Sequence, residues 1–155
     1  MYDRHQFGRE SEFYVAYYLT KLGFEVNFPT GNPRWDILFE NKHGRYFAQI
    51  KSAKVVDGEM KVNLRGNNDR KGYTKEDVDL IIIHERESNG VYFVPIEEVD
   101  GRVSILLRTE PPKKFVSKLT RFAKDYTKFP YALNETGNRS TNANYCGNNH
   151  GKEVS

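Results

Sequence analysis

The segment "VDLIIIH", residues 78–84, constrains the fold more than any other stretch. It is a continuous apolar run of strand length, and it reads as a central, buried strand. Such a strand needs neighbours, and the chain supplies them. "WDILFE" and "RYFAQIKS" read as two strands joined by "NKHG", a hairpin with Gly44 at its tip. "GFEVNF" reads as a further strand, followed by the turn "PTGNP"; "KVNLR" is a weaker strand; "GVYFVPI" and "RVSILLR" complete the sheet. Residues 4–22 read as a first helix stopped by Gly23. Residues 113–126 read as a second, with Phe115, Leu119, Phe122 and Ala123 on one face and Lys118, Arg121 and Lys124 mostly off it. Helix, then strands, then helix gives an α/β or α+β domain with a sheet of about five to six strands.

The chain has 155 residues, 37% hydrophobic and 29% charged, enough for one domain with a real core. After about Pro130 the composition turns to Asn, Gly and Ser with little to bury, so residues 1–130 are expected to form the domain and 131–155 a flexible polar tail. A net charge of +3 and a pI near 8.9 are compatible with a nucleic-acid partner without requiring one. The single cysteine, Cys146, excludes a disulfide framework and argues against a cysteine zinc site. His43 lies in a turn and His84 at a strand end, with no pairing that would make a histidine metal site. No signal-peptide shape and no membrane-length apolar run is present, and a soluble, cytoplasmic protein is expected.

Side chains alternate along a strand. In the second hairpin strand, Gln49 and Lys51 share one side, while Tyr46, Ala48 and Ile50 point to the other, toward the core. In the first, Trp35, Ile37 and Phe39 share a face and Asp36 falls opposite. Hairpin pairing lets Asp36, Gln49 and Lys51 converge on one patch. Glu12 stands at helical spacing from Val15, Ala16 and Leu19, among apolar residues. A carboxylate there needs a partner, because unpaired burial costs several kcal/mol or shifts its pKa. Two acids, a neutral oxygen donor and a lysine suit metal-assisted phosphodiester cleavage. Mg²⁺ prefers hard oxygen ligands. Asp36 would bind it directly, with the Gln49 amide oxygen and the Ile50 carbonyl as further ligands. Glu12 would position water beside the ion or hold a second one. Lys51 would orient the attacking water or neutralise developing charge. The bland alternatives are a cross-strand ion pair between Asp36 and Lys51, worth about 0.2–1 kcal/mol, a solvated helix charge at Glu12, and a hydrogen-bonded edge amide at Gln49.

These residues carry a resemblance. "WD" at 35–36, then twelve residues, then "QIK" at 49–51, behind a helix with "GRESE", resembles the PD-(D/E)XK nuclease superfamily. Gly8 with Glu12, the Gln-x-Lys, and the later Tyr73, Val78, Asp79, Tyr92 and Pro95 are similar to its group I intron-associated branch, which includes a homing endonuclease. The resemblance spans about residues 5–110. It implies a restriction-endonuclease-like mixed sheet flanked by helices, with a metal-binding Asp36, a ligand at Gln49, a catalytic Lys51 and a helix Glu12. It also implies a Mg²⁺-dependent, site-specific double-strand DNA endonuclease of the intron-homing type, with Mn²⁺ able to substitute, acting as a homodimer or homotetramer. Trp35 stands where the family's nominal proline would be, and Gln49 replaces an acid, removing one negative charge from the metal site. The alternatives are a Holliday junction resolvase-like nuclease and a catalytically inactive DNA-binding or assembly module of the same fold.

Basic residues cluster twice. Arg65, Arg70, Lys71 and Lys75 surround Asn67 and Asn68, and Tyr73 follows, either touching DNA or packing beneath the loop. Cations hold phosphates and asparagine can read base edges. Lys113, Lys114, Lys118 and Arg121, with Lys124 and Lys128, form the second group, for which a solvated helix face is the alternative. Tyr14, Tyr17, Tyr18, Phe115 and Phe122 are candidates for contacts between copies.

Overall fold

The computed structural model describes residues 4–66, 70–133 and 139–141. Helix α1 spans Arg4–Lys21. It stops where the sequence says: Gly23 takes φ +92°, its N–H bonds the Thr20 carbonyl (3.0 Å), and the Phe24 N–H reaches back to the Leu19 carbonyl (3.1 Å). This pair of hydrogen bonds is a glycine C-cap, and Phe24 and Leu19 join the same core cluster, which completes it.

The central sheet has five strands in the order β1-β2-β3-β5-β6: β1 (Glu25–Asn27), β2 (Ile37–Asn41), β3 (Gly44–Ala53), β5 (Leu80–Glu85) and β6 (Val91–Pro95). β3 and β5 run parallel and the other pairs antiparallel, so the sheet is mixed. Every residue of β5 is buried, as an all-apolar run requires of a strand covered on both faces. Leu80 and Ile82 point into one core with Val15 and Leu19 of α1, together with Phe39, Tyr46, Ala48, Ile50 and Phe93. Ile81 and Ile83 point into the second. That side is covered by an antiparallel ribbon of β4 (Glu59–Asn63) and β7 (Ser104–Arg108), whose Met60, Val62, Ile105 and Leu107 face inward.

The α+β, restriction-endonuclease-like architecture matches the expected fold class, with corrections. "RVSILLR" does not complete the main sheet; it pairs with "KVNLR" in the separate ribbon. Trp35 does not share a face with Ile37 and Phe39: it packs on the ribbon-side core, edge-on to Phe47 at 5.2 Å, while the other two lie beneath α1. Residues 113–126 form no α-helix. Phe115 and Leu119 are 76% and 85% exposed, and only a 3₁₀ turn, Ala123–Tyr126, is regular. Two forces oppose the helix. The Ser117 hydroxyl accepts the Leu119 N–H (3.0 Å) and the Thr120 hydroxyl the Ser117 N–H (3.2 Å), local bonds that compete with helical ones. The Arg121 carbonyl accepts the Arg108 N–H (2.8 Å), extending residues 121–122 along β7. The sheet is therefore flanked by one helix and one ribbon, not by two helices.

At the other end, Phe129 packs edge-on to Phe24 and Tyr46, and Tyr131 stacks on Tyr46 (5.6 Å, 2° between planes). Strand β8 (Tyr131–Leu133) pairs with β9 (Arg139–Thr141); the rest of the expected tail lies outside the described residues. Among the described residues, no helix is long and apolar enough to cross a membrane.

Candidate active site

The site is built at a fork between two strands. Ile37 pairs with Ala48, and the Asp36 N–H still bonds the Ala48 carbonyl (2.8 Å). Before Asp36 the chain leaves β3, so the next outward N–H on that edge, Ile50, loses its ladder partner. The Asp36 carboxylate accepts it at 2.9 Å. An extended residue turns its N–H and C=O to the same edge, so the Ile50 carbonyl also projects into the fork. Asp79 plays the matching part on the other edge of β3: it accepts the Phe47 N–H (2.9 Å) and donates its own N–H to the Phe47 carbonyl (2.8 Å). It closes a strand end.

Burial chiefly raises the Asp36 pKa, and the Ile50 N–H and the Lys51 ammonium offset part of this. Glu12 is half-buried on α1, and its pKa is raised first by burial, then by the nearby Asp36 charge, against the opposing pull of Arg9. Arg9, Glu12, Trp35 and Asp36 line one cleft of about 540 Å³. Lys51 leaves β3 on the face opposite Ile50. Its ammonium donates to the Arg65 carbonyl (3.3 Å) and lies 5.1 Å from the centre of the Tyr73 ring. Burial lowers its pKa most; Asp36 pulls it up and Arg34 pushes it further down. Gln49 shares the Lys51 face by strand alternation and is 8% exposed.

The fold thus brings Glu12, Asp36, the Ile50 backbone and Lys51 to one fork, with Gln49 buried one step before Ile50. Sequence reasoning missed Arg34 and Arg9. The Arg34 guanidinium lies 4.6 Å from the centre of the Tyr73 ring, donates to the Lys71 and Gly72 carbonyls (3.0 and 3.3 Å) and approaches Asp77 at 3.7 Å. It clamps the 71–77 loop beside Lys51. Its place next to "WD" was the only signal available. Arg9, three residues before Glu12, carried the ordinary helical-neighbour signal.

The expected DNA contacts divide. Arg65, Arg70, Lys71 and Lys75 are exposed, as are Lys113, Lys114 and Lys118 on their irregular segment. Arg121 turns instead to Glu98, 3.5 Å away. Tyr73, only 5% exposed, packs under Lys51 and Arg34, so it is a support for the lysine and presents no ring to DNA. Asn67 and Asn68 lie outside the described residues.

The donor chemistry fits a divalent cation of the Mg²⁺ type. Asp36 and Glu12 are hard oxygen donors, crowded and partly desolvated so that a cation would relieve them, and the Ile50 carbonyl faces the same gap. Among the described residues, no group of three or more His, Cys, Asp or Glu side chains is arranged to hold a metal. One or two carboxylates, neutral oxygens and waters form the coordination Mg²⁺ usually takes.

The cleft therefore has an aspartate at the apex of a strand fork, a lysine on the adjoining strand and a glutamate on the covering helix. The chain belongs to the PD-(D/E)XK endonuclease family, whose model matches residues 2–129. It is 31% identical over 109 residues to Protein 5.3 of Escherichia phage T7, across 68% of this chain and 91% of that one. Its fold is similar to that of a bacterial homing endonuclease, I-Ssp6803I, with a TM-score of 0.62 over 76% of this chain and 84% of that one, at 18% identity.

Proposed function

We propose that the protein is a Mg²⁺-dependent, site-specific double-strand DNA endonuclease of the homing type. The observation that carries this reading is the Asp36–Ile50 fork, with Glu12 in its cleft and Lys51 beside it. Asp36, the Ile50 carbonyl, Gln49 and Glu12 would hold the ion. When bound, the ion polarises the scissile phosphate and favours ionisation of water.

The chain's own groups do the remaining work. The Ile50 N–H locks the Asp36 carboxylate in one orientation. Lys51, held by Tyr73 and the Arg65 carbonyl and close enough to feel the Asp36 charge, would offer its ammonium to the reacting centre. Its lowered pKa shortens the gap to neutral pH, so it can trade a proton with the attacking water more readily than a solvated lysine. It also offsets the negative charge that grows on the phosphorus oxygens. Gln49 supplies a neutral oxygen where an acid would add charge, which suits a site already holding Glu12 and Asp36.

A homodimer or homotetramer would let a small chain read a long site. Of the aromatic candidates, Tyr17 and Phe115 are 57% and 76% exposed and available for such contact. Tyr14 stacks on His84 and Tyr18 packs against Phe93, so both serve the protomer itself.

The test is incubation with randomised linear duplexes and with a synthetic four-way junction, in Mg²⁺ and in EDTA. Cutting of duplexes at a recurrent sequence, only in Mg²⁺, is the expected result. Junction cutting indifferent to sequence, or no cutting of either substrate, overturns the reading.

A further inference from the structure

The outer face of the β4–β7 ribbon has no role in the chemistry above. Its inner residues are at most 4% exposed. Strand alternation therefore turns Lys61 and Asn63 of β4, and Ser104 and Leu106 of β7, outward, and all four are exposed. Arg65 continues the same side two residues beyond Asn63 and is also exposed. Lys61, Asn63, Arg65 and Ser104 line a shallow, open depression of about 460 Å³.

The chemistry of this face is one-sided. Lys61 and Arg65 are donors only. The Asn63 Oδ1 accepts the Arg65 N–H at 3.0 Å, which fixes the amide and leaves its N–H₂ to donate. The carboxylate at the far end, Glu59, is neutralised by Arg108 at 2.8 Å. A solubilising face would mix both signs; here positive charge and donors prevail.

We propose that this face enters the major groove of duplex DNA and reads acceptor-bearing base edges, guanine above all, through Lys61, Asn63 and Arg65. The inference rests on DNA being the substrate. A two-stranded ribbon fits the major groove, and guanine presents its N7 and O6 acceptors there. The ribbon is also tied to the fork, because the Lys51 ammonium donates to the Arg65 carbonyl. Bases read by the ribbon would thus lie beside the phosphate presented to Asp36.

The experiment is a pair of selections from one randomised duplex library, using the full chain: binding in EDTA, and cleavage in Mg²⁺. Wild type is compared with Lys61→Ala and Asn63→Ala, both solvent-facing changes, with melting temperatures checked. The expected result is a guanine-containing consensus in which each variant loses about 5- to 150-fold discrimination at one or two positions and keeps the rest. An identical consensus for all three proteins overturns the proposal, as does absence of duplex binding by wild type. If nothing is cut but the bound consensus changes in the variants, the ribbon stands and the nuclease reading falls. If all three cut at the same consensus, the nuclease reading stands and the ribbon falls.

Discussion

In the cleft at Asp36 the charged groups are partly desolvated, and each is held against its inclination: Asp36 and Glu12 lean toward the proton, Lys51 toward losing one. On the outer face of the β4–β7 ribbon, Lys61 and Arg65 stand exposed, beside Asn63. The first region stores electrostatic strain that a cation and a phosphate would release. The second stands in solvent and, on the proposal above, would act by complementarity to a polyanion. Substitutions should therefore change chemistry and metal linkage in the cleft, and sequence preference on the ribbon.

The largest expected effect breaks the cleft alone. Lys51→Ala should slow cleavage by about 10²- to 10³-fold, the cost typical of removing one electrostatic group from a reacting centre. DNA affinity, measured by a mobility-shift titration, should stay within about threefold, since few phosphate contacts are lost. A variant that binds poorly yet still cuts would assign Lys51 to the ribbon's kind of work.

Metal linkage comes next. An ion at ten times its dissociation constant stabilises the folded state by about 1.4 kcal/mol, about 4 °C in melting temperature for a domain of this size. Because burial raises the Asp36 and Glu12 pKa values, ionising them costs stability in the metal-free protein. That cost is absent below the ordinary carboxylate range and is complete once pH has risen past the raised values. The Mg²⁺ shift in differential scanning fluorimetry should be present at neutral pH and fade as pH falls through those raised values, where protons displace the ion. In EDTA at neutral pH, Asp36→Asn should melt at or above wild type, since an amide oxygen still accepts the Ile50 N–H without the charge. A marked loss of stability would show that the carboxylate is structural.

The smallest effect on stability belongs to the ribbon. Lys61→Ala should relax discrimination at one or two guanine positions of the bound sequence and leave folding stability within about 0.5 kcal/mol. Binding to duplexes substituted at those positions decides this, and unchanged discrimination would move the DNA surface away from β4–β7.

The site was more legible in the sequence than the layer that covers it, for physical reasons. The apolar run at 78–84 admits little but a central strand, Gly23 can stop a helix in a way other residues rarely can, and strand alternation alone places Gln49 and Lys51 together. Pairing partners are harder to read. Ile105 and Leu107 alternate with exposed neighbours much as main-sheet strands can, so nothing local says that β7 joins β4. The supposed second helix had an apolar face at helical spacing, yet Ser117 and Thr120 offered competing local bonds and β7 captured residue 121. Arg34 and Tyr73 support Lys51 across long sequence separations, which no spacing rule reveals.

The most direct test of the central claim is an anomalous-scattering map from crystals of the protein grown with Mn²⁺. The account predicts a peak bounded by the Asp36 carboxylate and the Ile50 carbonyl, absent in Asp36→Ala. No peak at the fork, or one that survives that substitution, would contradict it.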